Sequence, residues 1–174
     1  MRKFIQVVPV YPPTLTFKED YFTWPAAMMK ELGYDCEFVT LAKKKSDAGV
    51  ESPKSPKSQS EHKEVEVVNG FPVRRFSSTA KLLWYVLRQN AVLHTHLRPF
   101  APSLFAGILP KRKIITPFTY ELGSNQLVKW LSLFLMRRFD KVIPISPYEG
   151  EVYLKNGFRK DQVVAASAVP RIKR

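Results

Sequence analysis

The chain has 174 residues, with 28 Lys and Arg against 15 Asp and Glu and a formal net charge of +13 at neutral pH. Its apolar fraction of 45% and aromatic fraction of 13% exclude a disordered or fibrous chain and leave one ordinary globular domain, residues 1–174, with a real core. A single cysteine, Cys36, excludes an internal disulfide framework and fits a reducing compartment.

The charge points to an anionic partner: a membrane surface, nucleic acid or a phosphorylated substrate. Met1-Arg2-Lys3 leads into Phe4-Ile5-Gln6-Val7-Val8, a run too short and too soon broken by proline for a signal peptide. No segment reaches the roughly 18 uninterrupted apolar residues of a membrane span. The expected location is cytoplasmic, peripheral at most to the inner membrane face.

Phe4–Val8 reads as a first strand, apolar enough to be central and buried on both faces. Pro9, Pro12 and Pro13 force a loop after it. A helix follows, with Thr23 as its N-cap, Pro25 in its first turn and Gly33 just past its end; Ala26, Met29 and Leu32 form its inward face. Glu37–Leu41 reads as a second strand, and strand, helix, strand within about forty residues fits a right-handed crossover. Residues 43–63, with two Ser-Pro-Lys triplets and six lysines, read as a solvated, disordered loop.

Glu64–Val68 and Phe71–Phe76, joined by Asn69-Gly70, read as a hairpin with one wet face. Thr79–Gln89 is an amphipathic helix, and Ala91–His96 a strand bounded by polar residues and Pro99. A helix over Pro99–Leu109 and a strand over Lys113–Thr116 come next. Asn125–Phe139 is a helix apolar on almost every side, which predicts burial between layers. Val142–Ser146 is a strand made short or irregular by Pro144. A helix runs from Pro147 to Asn156-Gly157, and Gln162–Ala166 is a last short strand. This alternation predicts an α/β fold, a Rossmann-like, mostly parallel sheet with helices on both faces.

His94 and His96 stand two apart on a strand, so they share a face, with His96 nearer the carboxyl end where ligands bind in such sheets. The pair lacks a neighbouring Cys, Asp or Glu to complete a metal shell, so no metal site is assigned. There is no G-x-G-x-x-G, no G-x-x-x-x-G-K-[ST] and no G-x-S-x-G. His94 reads as a hydrogen-bonded, partly buried residue, and His96 as the cleft group.

Several segments recur in one order: strand one followed by Pro12-Pro13, the hairpin at Asn69-Gly70 with Val73 and Arg74 after it, Val92–His96, Ile114–Pro117, and Phe139–Glu149 running on to Leu154–Gly157. In that order they resemble the N-terminal, acceptor-side half of GT-B glycosyltransferases of family 4, across nearly the whole chain. The resemblance implies retaining transfer of a sugar from a nucleotide-sugar donor, the co-substrate, to a glycan or lipid-linked acceptor, with no metal and no cofactor bound by this domain. In that family the donor is held by a second Rossmann-like domain carrying a Glu-x7-Glu element, which this chain lacks. Half a cleft stabilises a departing diphosphate poorly, so the chain is not expected to act as an enzyme without a donor-binding domain or subunit. No catalytic residue is assigned.

This chain also departs from the family. Where the family carries a Gly-Gly pair after strand one, Thr14 begins a run without glycine; where it often has a His, Phe118 stands; its usual Asn-Gly before the domain crossing is Ser167-Ala168. Thr14, His96, Phe118, Glu121, Ser146 and Glu149 are the acceptor or cleft candidates. Many such enzymes work on lipid-linked acceptors, so Arg74, Arg75, Lys81, Trp84 and Arg88 are candidates for contact with an anionic membrane. Further basic clusters lie at Lys111-Arg112-Lys113 and Arg137-Arg138. The alternative is a non-catalytic, degenerate homologue acting as a glycan-, lipid- or subunit-binding module. Nucleic-acid binding rests on charge alone, without a supporting motif.

Overall fold

The structure, a computed structural model, describes residues 2–8, 19–42, 65–97, 101–117 and 126–164. Thr14, Phe118, Glu121, the loop 43–63 and Ser167-Ala168 lie outside them. The elements are β1 (Lys3–Val7), α1 (Glu19–Glu31), β2 (Asp35–Leu41), β3 (Glu66–Val68), β4 (Phe71–Phe76), α2 (Thr79–Arg88), β5 (Ala91–Leu97), α3 (Ala101–Phe105), β6 (Lys113–Pro117), α4 (Gln126–Met136), β7 (Lys141–Val142) and α5 (Pro147–Lys155).

They build one seven-stranded sheet in the order β3-β4-β2-β1-β5-β6-β7. Every pairing is parallel except β3 with β4. The six parallel strands therefore run third-second-first-fourth-fifth-sixth, the doubly wound Rossmann-like order. As the apolar composition of Phe4–Val8 predicts, β1 lies at the centre, between β2 and β5.

Successive side chains of a strand face opposite sides. Phe4 and Val8 pack with Ala26 of α1, Cys36 and Phe38. Ile5, Val7 and Leu93 pack with Leu82 and Val86 of α2, Leu133 and Met136 of α4, and Tyr153 of α5. Helices thus cover both faces, one of them α1's and the other shared by α2 to α5. Burial of these aliphatic and aromatic side chains, at about 1.5–3 kcal/mol for each large one, is the main stabilising contribution.

Glycines terminate two of these helices. Gly33 (φ 83°) and Gly157 (φ 81°) hold the left-handed conformation, and the amides of Tyr34 and Phe158 donate back to Met29 and Tyr153 O, at 3.0 and 3.2 Å. This pattern satisfies carbonyls at each helix end. The Asn69-Gly70 turn has φ of 52° and 78°, the double positive pair that a two-residue hairpin requires.

Four expectations are corrected. α1 begins before Thr23 and carries Pro25 in its interior, and Leu32 is 70% exposed. Pro99–Leu109 is not one helix: α3 has five residues and gives way to a 3-10 turn, Ala106–Ile108. As Pro144 leads one to expect, the strand read over Val142–Ser146 is short: β7 is Lys141–Val142, at the edge of the sheet. Among the described residues the last strand is a single bridge, Val163 to Val142. α4 is not sandwiched between layers: Ser132, Leu133, Leu135 and Met136 face inward, while Val128, Trp130, Leu131 and Phe134 are exposed. Hydrophobicity all round a helix does not specify what covers it.

The 3-10 turn crosses α4 closely. A Cβ placed on Gly107 would lie 2.6 Å from Leu135 O and 2.9 Å from the Phe139 ring. A backbone carbonyl in a helix cannot retreat, so Gly107→Ala is expected to destabilise by about 1–3 kcal/mol. Urea denaturation should show a lower midpoint with an unchanged slope; an unchanged midpoint would refute the close crossing.

Candidate functional site: the switch point of the sheet

In a doubly wound sheet the progression of strands reverses between two neighbours, and the crevice beyond their carboxyl ends is where ligands bind. Here those neighbours are β1 and β5. Gln6 pairs with His94 in register, and His96 with Thr116 of β6. Gln6, His94, His96 and Thr116 therefore project from one face, the α1 side, near the carboxyl ends of three adjacent strands.

These side chains form a polar row. His96 Nε2 lies 3.1 Å from Gln6 Oε1, within hydrogen-bonding distance. His94 Nε2 lies 2.9 Å from Thr116 Oγ1, and the two imidazole centroids are 4.3 Å apart. Ser103 Oγ of α3 donates to His96 O at 2.8 Å, tying down the end of β5. The sequence expectation that the two histidines share a face is met. His96 is more enclosed than a cleft wall would be, at 1% exposure.

Burial sets the electrostatics. Desolvation lowers the His94 imidazolium to a pKa of about 4. His96 falls well below its ordinary value through desolvation first and the neighbouring His94 second. Both rings are therefore neutral near pH 7 and act as hydrogen-bonding groups rather than as cations. Beside them the Gln6 amide nitrogen, and the Thr40 hydroxyl on β2, have no hydrogen-bond partner among the described residues. Both are buried, and each such group costs about 1–3 kcal/mol until something pairs with it. The switch point thus has a floor of neutral donors and acceptors, partly unmatched.

The other cleft candidates gather elsewhere on the carboxyl edge. Ser146 is the N-cap of α5, its Oγ accepting from Glu149 N at 3.2 Å. Glu149 is buried, accepts from Ile145 N at 2.7 Å and receives the Tyr153 hydroxyl. Burial, followed by that bond and the charge of Glu149, raises the Tyr153 hydroxyl far above its usual range. Ser146 and Glu149 hold the corner between β7 and α5, where the helix dipole favours a carboxylate. They meet each other but not His96, two strands away.

The candidates for membrane contact divide as well. Lys81, Trp84 and Arg88 lie exposed on α2, with the Arg88 guanidinium 4.5 Å from the Trp84 ring centre. Arg74 and Arg75 point to opposite faces of β4: Arg74 pairs with Glu37, and Arg75 with Glu66 at 3.0 Å. Lys113 is buried, not part of a surface cluster; it donates to Leu109 O, and desolvation lowers its pKa.

One charged cluster escaped sequence reading. Glu37, 2% exposed, accepts from Lys3 Nζ at 2.7 Å, from Tyr85 OH at 2.8 Å and from Arg74 Nε. A Glu amid the apolar run of β2 was the available signal, since a buried carboxylate needs partners. Among the described residues no three His, Cys, Asp or Glu side chains come together to hold a metal ion, and no helix is long and apolar enough to cross a membrane.

Fold and switch point together define a Rossmann-like α/β domain. No protein-family model matches the chain, and no curated protein matches it.

Proposed function

We propose that the chain is the acceptor-binding half of a retaining glycosyltransferase that moves a sugar from a nucleotide-sugar donor to a glycan or lipid-linked acceptor. It works in the cytoplasm, at the inner membrane face where the acceptor is lipid-linked, with the donor held by a second domain or subunit. The observation that carries this reading is the polar floor at the β1–β5 switch point, where Gln6 and His96 meet at 3.1 Å beside the unmatched Gln6 amide. Neutral, hydrogen-bonding groups suit hydroxyl-rich acceptors, which present paired donors and acceptors and no charge. His96 is a positioning residue: it holds the buried Gln6 side chain beneath the crevice, and the Gln6 amide nitrogen has no partner among the described residues.

The test is diphosphate release from nucleoside-diphosphate sugars, by this chain alone and together with a donor-binding polypeptide. The expected result is no turnover alone and turnover with the partner. Replacing His96 with Ala should then lower kcat/KM for the acceptor on the order of tenfold to a hundredfold, the usual effect of a misplaced positioning group. Turnover by the chain unaided would overturn the half-site reading. An unchanged rate for the His96→Ala variant would remove the switch point from the mechanism. Acceptor binding without turnover in any combination would support the non-catalytic module, which the internal pairing of Ser146 and Glu149 favours.

A further inference from the structure

We propose that the outer face of the α2–α3–α4 layer is a membrane-docking surface that seats on anionic lipid headgroups and inserts aromatic and aliphatic side chains among the acyl chains. The inference stands apart from the glycosyltransferase reading, because vesicle binding is measured without turnover. It places the contact mainly on α3 and α4, away from Arg74 and Arg75.

α3 packs against both α2 and α4, so the three helices lie side by side on one face of the sheet. Their outward side chains are unusually apolar. Trp130 is 61% exposed, Ile108 62% and Trp84 56%, with Phe105, Leu131 and Phe134 also exposed. On α4 the residues 130, 131 and 134 follow helical spacing, and the Trp130 and Phe134 rings stack with centroids 5.6 Å apart. A soluble surface rarely keeps such a patch without a partner for it.

Charge decides which partner. α2, α3, the 3-10 turn and α4 contain no acidic residue. Lys81 and Arg88 stand exposed on α2 and Lys129 on α4, with the Arg138 guanidinium 5.0 Å from the Phe134 ring centre. A second copy of this chain would bring the same positive charges to the same patch, with no acid on these helices to meet them. Nucleic acid would satisfy the charges and leave Ile108 and Leu131 in water. An anionic bilayer satisfies both: its headgroups take the cations, its acyl region takes the apolar stripe, and Trp sits at the boundary between them.

The experiment is co-sedimentation of the full chain with vesicles of phosphatidylcholine alone and of phosphatidylcholine mixed with phosphatidylglycerol. Binding is expected to the mixed vesicles and to weaken as salt rises. Trp130→Ser with Phe134→Ser should lower the partition coefficient about tenfold or more, and Lys129→Glu or Arg138→Glu about fivefold or more each. These side chains are exposed, so the variants should keep the wild-type circular dichroism. In a background with Trp24→Phe and Trp84→Phe, the emission of Trp130 should shift to the blue on mixed vesicles only. Equal vesicle binding by wild type and the double variant would overturn the proposal. So would an absence of vesicle binding accompanied by self-association that the same double variant abolishes, which would assign the face to a second copy.

Discussion

Lowering the pH from 7 to 5 is expected to cost the fold about 2 kcal/mol through His94, with a further loss of the same sign through His96. Both imidazoles are buried and neutral; desolvation holds His94 to about 4 and His96 well below its ordinary value. In the unfolded chain both titrate near about 6.5. Between pH 6.5 and about 4 the unfolded state therefore binds protons that the native state refuses, and stability rises with pH there. The contribution is fully present above pH 6.5 and disappears as the pH falls through that window. His94 loses about 1.4 kcal/mol per pH unit, or about 2 kcal/mol by pH 5, and His96 adds to the loss in the same direction. The melting temperature should fall by at least about 4–8 °C over the same range. The measurement is a pair of stability-against-pH curves, for the wild type and for a variant with both His94→Gln and His96→Gln. The double variant should be flatter between pH 6.5 and 5; parallel curves would mean that the two rings take up protons in the folded state.

Replacing Glu37 with Ala is expected to destabilise the protein by about 3 kcal/mol. Its carboxylate, 2% exposed, is shared by Lys3, Arg74 and Tyr85 from three other elements. Removing one member of a buried ionic cluster strands the rest, at a cost of about 3–5 kcal/mol. The lower end applies because Lys3 and Arg74 retain 21% and 28% exposure and can turn toward water. Arg75–Glu66 is the internal comparison: there the carboxylate is 47% exposed, and Glu66→Ala should cost under about 1 kcal/mol. Urea denaturation of the two variants separates the cases. Equal and small losses would show that the Glu37 cluster is no stronger than a surface pair.

Much of the architecture was legible because local chemistry and global fold agree. Gly33, Gly157 and Asn69-Gly70 sit where a positive φ is required, and Phe4–Val8, apolar except for Gln6, takes the middle of the sheet. What sequence reading missed depends on groups brought from far along the chain. The shared face of His94 and His96 follows from spacing. Their partners do not, because Gln6 and Thr116 arrive on other strands. Lys3 and Arg74 converge on Glu37 for the same reason. For Glu149, a cleft candidate on sequence, Tyr153 one helical turn on is the partner within reach of local spacing. The reading of α4 failed in the opposite sense: its composition was correctly seen as apolar, but only the tertiary arrangement shows which half of that surface has a covering.

The central position of β1 also constrains how the chain is made. Lys3 aligns with Ala91, so one flank of the first strand stays open while 88 further residues are translated. At ribosomal speeds that interval is about 4–18 s. For that time the strand can pair with β2 alone, and its other edge stays open. Refolding in a test tube should likewise be limited by the search that unites these two distant segments.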